Sequence, residues 1–275
     1  MSIKNISVLT IVHNRQPALL NLIQGLEFSQ LKPTELVIVY MNEPPYKLPK
    51  TSFPIIECSV GHPTHLPLAQ ARNKAVQVAT FEHLIFLDVD CIPHPAMVQQ
   101  YADAFEQTGV LWSGSVRYLR KEAVQQGNFW QHLEELSDPD PIRANTPTLP
   151  YHLFWSLNFG CDKLTFAQIG QFDENYVGYG AEDTDFAFCT RQSGTPLRWV
   201  GALAYHQYHP SYDPPINHLQ AIIANATYFK KKWQVWPMEG WLTKFQQLGL
   251  IHWTADRIEF LRQPSATELA VTIKD

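Results

Sequence analysis

The sequence predicts an α/β domain built on a parallel sheet. Three observations carry this: short β-branched apolar runs, helical segments between them, and polar clusters directly after the runs. Residues 6–12 are nearly all apolar and read as a fully buried strand, which His13-Asn14-Arg15 ends. Pro17 then opens a helix, where its fixed φ suits the first turn, and Leu19, Leu20, Ile23 and Leu26 give that helix an apolar side. Residues 36–40 form a second strand. Pro44, Pro45 and Pro49 make the next stretch an irregular connection, and residues 55–58 form a weaker third strand. Residues 68–80 read as a helix with Ala69, Ala75, Val76 and Ala79 facing inward. Residues 84–87 are the next strand, closed by Asp88-Val89-Asp90. In such sheets ligands sit beyond the C-terminal strand ends. His13-Asn14-Arg15, Asn42-Glu43 and Asp88/Asp90 all fall there.

The second half changes character. Residues 137–150 are rich in Pro and Asp and read as a loop, and residues 151–160 are aromatic. Gly178-Tyr179-Gly180-Ala181 is a turn leading into Glu182-Asp183-Thr184-Asp185, which residues 186–191 continue as a helix. Residues 197–205 are strand-like and end at His206. The tail from Asn217 is helical, with Ile222, Ile223, Tyr228 and Phe229 on one side. A chain of 275 residues with 45% hydrophobic content suffices for one large domain or two tightly joined subdomains. The net charge of −5 argues against a broad nucleic-acid-binding face. No apolar stretch approaches a membrane span, the N-terminus lacks an apolar leader, and the four cysteines are scattered without a Cys-x-x-Cys. These features suit a reducing, cytoplasmic setting and disfavour a zinc knot or a disulfide framework.

Asp88-Val89-Asp90 carries the chemistry. Two carboxylates one residue apart, at the end of a buried strand, repel each other where hydration is poor. A divalent cation resolves that conflict, and oxygen ligands suit Mg²⁺ or Mn²⁺, which can also hold a diphosphate.

Five segments then occur in a telling order: Thr10-Ile11-Val12-His13-Asn14-Arg15, Ala71-Arg72-Asn73-Lys74-Ala75, Asp88-Val89-Asp90, residues 178–185, and His206. With them the chain resembles the nucleotide-diphospho-sugar glycosyltransferases of family 2, with a C-terminal half similar to the galactosyltransferase C-terminal module. The resemblance covers roughly residues 5–210. It implies a GT-A, Rossmann-like fold: a mixed, mainly parallel sheet flanked by helices, with a C-terminal helical extension. It divides the chain into a nucleotide-sugar-binding part (1–115), an acceptor and catalytic part (116–215) and the helical extension (216–275).

The resemblance also implies roles. Asp90 would ligate Mn²⁺ or Mg²⁺, Asp88 would touch the ribose or a metal-bound water, and His206 would add a ligand. His209, three residues on along an extended chain, should face elsewhere. Asp183 would be the general base of an inverting transfer and Glu182 would hold sugar hydroxyls. Thr10, Val12, His13, Asn14, Arg15, Arg72, Asn73 and Asp88 would surround the nucleotide, with Arg15 or Arg72 on a phosphate. Family 2 enzymes usually carry an Asp at the end of the second strand. Here Tyr40 and Asn42 stand there instead, Tyr40 to stack on the base and Asn42 to bond it, with uridine as the expected base. Gly180, Tyr179, Trp155 and Asn158 would wall the sugar or acceptor.

The expected partners are a nucleotide-diphospho-sugar donor, a UDP-sugar above others, and a glycan or lipid-linked acceptor, as in polysaccharide biosynthesis. Lys230-Lys231-Lys232-Trp233 with Trp236 and Trp241 suggests a basic-aromatic helix able to touch the inner face of a membrane. Two rivals are a nucleotidyltransferase or nucleotide-sugar hydrolase, and a non-catalytic carbohydrate-binding protein on the same scaffold. The nucleotidyltransferase needs a glycine-rich loop after the first strand, and His13-Asn14-Arg15-Gln16-Pro17 has none. Both acidic motifs being intact argues against the binder.

Overall fold

The computed structural model describes residues 5–126, 128–144 and 146–274. Strands β1 (Ile6–Val12), β2 (Glu35–Met41), β3 (Ile55–Val60) and β4 (His83–Leu87) pair in parallel, connected through helices α1 (Gln16–Phe28) and α2 (Leu68–Val78). The side chains of β1 and β2 are buried on both faces, which is why those strands read as unbroken apolar runs. Their two-residue period sorts them into two cores. Val8, Val12, Leu36, Ile38 and Tyr40 pack with Leu19, Leu22 and Ile23 of α1. Leu9, Ile11, Val37 and Val39 pack with Ala69, Ala71 and Ala75 of α2, whose small side chains let that helix lie close to the sheet.

The remaining main elements are β5 (Cys91–Pro93), α3 (Met97–Ala104), β6 (Leu111–Leu119), β7 (Ser137–Pro139), β8 (Asn158–Asp162), α4 (Lys163–Ile169), α5 (Glu182–Gln192), β9 (Leu197–His206), α6 (Leu219–Trp233) and α7 (Glu239–Gln247). The sheet order is β3-β2-β1-β4-β8-β6-β9-β5, with β7 against β6. β8 joins antiparallel to β4 and to β6, and β5 antiparallel to β9, while β6 and β9 run parallel. The sheet is therefore mixed, as the resemblance implied, with its parallel half at the N-terminal end.

The β6–β9 register shifts between Gly114 and Ser115, a bulge. It explains Asn158, which sequence reasoning placed in the sugar wall. The Asn158 side chain is buried, donates to the carbonyls of Ser115 (3.1 Å) and Ala202 (2.9 Å), and accepts from the Tyr101 hydroxyl (2.8 Å). It satisfies carbonyls at the irregularity, and a side chain at Gly114 would collide with it.

Helices α6 and α7 enclose a cluster of their own around Ile216, Ile222, Leu242 and Phe245. They are fastened to α5 by a polar network. The fully buried Asp185 carboxylate accepts from Trp233 Nε1 (2.6 Å), Lys232 Nζ (2.9 Å) and the Tyr176 hydroxyl (3.0 Å). Lys232 also reaches Asp173 at 2.9 Å, and its ammonium is held well above its usual pKa by both carboxylates, against the opposing effect of burial. Asp185 stands in the first turn of α5, as the sequence indicates, and it also anchors this network. The basic-aromatic run that could touch a membrane supplies two of its partners, Lys232 and Trp233. Lys230 lies over the Trp236 ring and Trp236 donates to the Ala255 carbonyl, so this segment makes its contacts within the chain. Among the described residues no helix is long and apolar enough to cross a membrane.

Candidate active site

The site lies beyond the ends of β1, β4 and β9, and strand pairing builds it. β5 and β9 place His206 opposite Cys91, and the Gln207 amide donates to the Asp90 carbonyl at 2.6 Å. His206 is thereby set beside the buried Asp90. After His206 the chain leaves the strand, so the expectation that His209 faces elsewhere does not hold. His209 Nε2 lies 3.6 Å from Asp90 Oδ2. Asp90, His206 and His209 each offer a ligand atom, all within 4.8 Å of one another. Burial lowers the His206 pKa to about 4, against the pull of Asp90, which leaves its imidazole neutral. A neutral imidazole is the form that ligates metal. One carboxylate and two imidazoles fit a divalent transition metal such as Mn²⁺, whereas Mg²⁺ prefers an all-oxygen shell. The signal in the sequence was His206-x-x-His209 followed by Pro210, a break that ends extended geometry.

Arg15 Nε lies 3.3 Å from Asp90 Oδ2, so a cationic group already sits at this carboxylate. Asp88 opens onto a crevice lined by Thr10, Arg72, Leu87 and Ser156. Burial and then the Asp90 charge push its carboxyl up to about 6, with Arg72 opposing. The Thr10 hydroxyl is buried at this crevice with no hydrogen-bond partner among the described residues.

Across the crevice, Ala181 takes the left-handed conformation (φ 72°), a strained one for a residue with a side chain, and α5 begins at the next residue. This sharp entry delivers Glu182 and Asp183. Glu182 is buried and accepts from Arg72 Nη1 at 3.1 Å. Asp183 accepts from the backbone amides of Ser156 and Thr184, the latter at 2.7 Å. Burial, followed by repulsion from Glu182, raises its carboxyl to about 7 despite Arg72. A carboxylate that holds its proton near neutrality suits general-base work. The Tyr179 hydroxyl lies among these groups. Burial, Glu182, Asp183 and Asp88 all raise its pKa, and its ring stacks on His218 (4.6 Å between centroids).

Several expected contact residues have other occupations. Tyr40 is fully buried and bonds Glu57 at 2.7 Å, so it offers no face to a base. Asn42 is spent on the neighbouring loop, donating to the His65 carbonyl (2.9 Å) and accepting from the His62 amide (2.6 Å). Asn73 holds residues Phe172 and Glu174. Val12 packs its side chain in the core, leaving only its backbone to a ligand. Gly180 is needed for its φ of 103° and for its contact with Met238 and Ile222, and its carbonyl accepts from Asn225 at 2.8 Å. His13 donates from Nδ1 to the Met41 carbonyl (2.6 Å) and accepts from Asn14 at 2.9 Å, while the Asn14 amide bonds Glu43. Both remain at the end of β1, beside Arg15. Trp155 is half-buried and carries the Arg143 guanidinium 4.2 Å from its ring centre.

The sequence profile of glycosyl transferase family 2 matches residues 58–164, which include Arg72, Asp88 and Asp90. This stretch resembles family 2 glycosyltransferases, and the chain as a whole has the mixed α/β GT-A fold. The chain is 26% identical over 175 residues to chondroitin synthase of Escherichia coli, covering 52% of this chain and 25% of that protein. It is 24% identical over 153 residues to validoxylamine A glucosyltransferase of Streptomyces hygroscopicus subsp. jinggangensis, covering 47% and 36%. The matches thus span about a third or less of these relatives' length. Among solved structures, GalNAc-T7 with UDP, GalNAc and Mn²⁺ superimposes with a TM-score of 0.55 at 14% identity, covering 84% of this chain and 51% of that one. TarS 1-349 of S. aureus gives 0.53 at 12%, covering 82% and 65%. At these identities the likeness is one of fold.

Proposed function

We propose that this domain is a metal-dependent, inverting glycosyltransferase that moves a sugar from a UDP-sugar to a hydroxyl of a glycan or lipid-linked acceptor. The observation that carries the reading is the pairing of two unlike acidic sites across one crevice: Asp90 with two imidazoles on one side, and the high-pKa Asp183 on the other. Neighbours solved with UDP, one of them also with GalNAc and Mn²⁺, support a UDP-linked donor and a bound metal.

In this reading residues 1–115 hold the nucleotide sugar, 116–215 provide the base and the acceptor side, and 216–275 brace them. Asp90, His206 and His209 would hold the metal, which supplies positive charge to the departing diphosphate. Arg15 offers its guanidinium to the same phosphates. Asp88 faces the crevice as a hydrogen-bond partner for ribose or a metal-bound water. Asp183 receives the acceptor proton on its carboxylate as the acceptor oxygen bonds to the anomeric carbon, opposite the diphosphate. Arg72, bound to Glu182, sets the charge balance that keeps Asp183 ionisable near neutrality.

The test is UDP release from a panel of UDP-sugars with Mn²⁺, with and without glycan acceptors. Release that needs Mn²⁺, is suppressed by EDTA and is accelerated by an acceptor supports the reading. UDP binding without release from any donor would sink it.

A further inference from the structure

An open pocket of ≈ 360 Å³ is lined by Tyr118, Asp138, Pro139, Pro141 and Trp155. Its size is within the range of about 300–1,000 Å³ typical of small-ligand sites. Two contacts place it. Trp155 precedes Ser156, whose amide holds Asp183. Tyr118 stands opposite His206 in the β6–β9 register, with the two rings 5.3 Å apart. One wall is thus tied to the base and the other to the metal ligand set.

We propose that this pocket is a subsite for an uncharged pyranose. Trp155 would be its stacking platform, and the buried Asp140–Arg143 pair the device that sets that platform. The proposal rests on the glycosyl-transfer reading for its place in a reaction, and on the pocket's own chemistry for its ligand.

Two aromatic rings and two prolines make rigid apolar walls that suit the C–H face of a sugar ring. The Asp138 carboxylate at the rim accepts hydrogen bonds from hydroxyls. The charge around the pocket is the selective element. Among the described residues that line it there is one carboxylate and no cation. Arg120 beside it is bonded to Asp138 (3.0 Å) and to the Glu135 carbonyl. Arg117 is bonded to Ser137 through both Nε and Nη2. A uronate would bring its negative charge towards Asp138 with these guanidiniums already engaged, whereas a neutral sugar carries no such penalty.

The floor explains how the walls keep their places. Arg143 is 3% exposed, and its Nε donates to Asp140 Oδ2 at 2.7 Å. Asp140 Oδ1 in turn accepts the amides of Ile142 and Arg143, both at 2.9 Å, which fixes this turn of the 137–150 segment. The one guanidinium lies over the Trp155 ring and near the Tyr118 hydroxyl, whose ionisation its charge favours. Burying an ion pair costs desolvation and gives little stability in return, so a pair touching both walls fits a positioning role.

Saturation-transfer NMR tests this on the whole chain with UDP and Mn²⁺ present. The probes are methyl β-glucopyranoside, methyl N-acetyl-β-glucosaminide and methyl β-glucuronide at equal concentration. A separate arm uses UDP-glucose. The neutral glycosides should receive saturation and the glucuronide should bind about tenfold more weakly. Trp155→Ala should abolish the signal, and Trp155→Phe should retain it. Arg143→Gln should weaken it, with Arg143→Lys restoring part by keeping a cation beneath the ring. Loss of glycoside saturation in Trp155→Ala assigns the pocket to the acceptor's sugar, and loss of UDP-glucose ring saturation assigns it to the donor's. Loss in neither arm, or equal binding of the glucuronide, overturns the proposal. Glycoside saturation in a protein that releases no UDP from any donor would remove the transferase reading and leave the pocket standing.

Discussion

Replacing Asp183 by Asn should make the protein more stable at pH 8 while removing its activity. Burial and the Glu182 charge hold the Asp183 carboxyl at about 7, against 3.8 for an unperturbed one. Between those two values the folded chain retains a proton that the unfolded chain has released. Stability therefore falls as pH rises through that window, and above it the full cost of a buried, repelled carboxylate is present. The gap corresponds to a ceiling of about 4 kcal/mol. Glu182 shares the repulsion and the carboxylate opens on the crevice, so about 1–2 kcal/mol is the expected gain at pH 8. Asparagine keeps an oxygen for the Ser156 and Thr184 amides and carries no charge. Urea unfolding of both proteins at pH 5 and pH 8 measures this. The variant's advantage should be present at pH 8 and close towards pH 5, with a rise in Tm at pH 8 of about 2–4 °C per kcal/mol. Turnover at saturating donor should fall by about 10²–10⁴-fold, the usual yield of a general base. A variant that is no more stable at pH 8, or that still turns over, would refute the reasoning.

Three further outcomes are expected. Changing Asp90, His206 or His209 singly to Ala should weaken Mn²⁺ binding by at least about tenfold, read by calorimetry. An unchanged constant for His209→Ala would remove it from the ligand set. Lys232→Met leaves the buried Asp185 without its cation and should cost about 2–4 kcal/mol in urea unfolding. A cost near zero would show that Trp233 and Tyr176 suffice. Tyr40→Phe loses only the bond to Glu57 and should cost about 1 kcal/mol with UDP affinity unchanged. A large loss of UDP affinity would return Tyr40 to the nucleotide site.

The parts of the fold that the sequence revealed are those with a simple period. Strands β1 and β2, buried on both faces, and the Ala-rich face of α2 read directly. The Asp88/Asp90 pair was legible because carboxylates at the end of an apolar strand have few cheap explanations. What the sequence hid depends on pairing between distant segments. Asn158 looked like a sugar ligand because nothing local marks the bulge between β6 and β9 that consumes its amide. Tyr40 ends a strand, but its fate follows from which sheet face the even positions take and from Glu57 on the next strand. His209 was misjudged because extended geometry was carried past the point where β9 stops. The Lys/Trp run reads as a surface, and nothing local marks Asp173 and Asp185, far upstream, as the partners of Lys232 and Trp233.

Helix α5 has two faces within one turn. Asp183 and Asp185 are two residues apart, about 200° around the axis. One carboxylate looks into the crevice and the other is gripped by Trp233 and Lys232 of α6. The helix behaves as a lever with the proposed base at one end of its throw and the C-terminal helices at the other. Any rotation of α5 that re-aims Asp183 must first break the Asp185 grip. The tail is thus the stop that fixes where the proposed base points, and an alteration there would register as misaimed chemistry before it registered as unfolding.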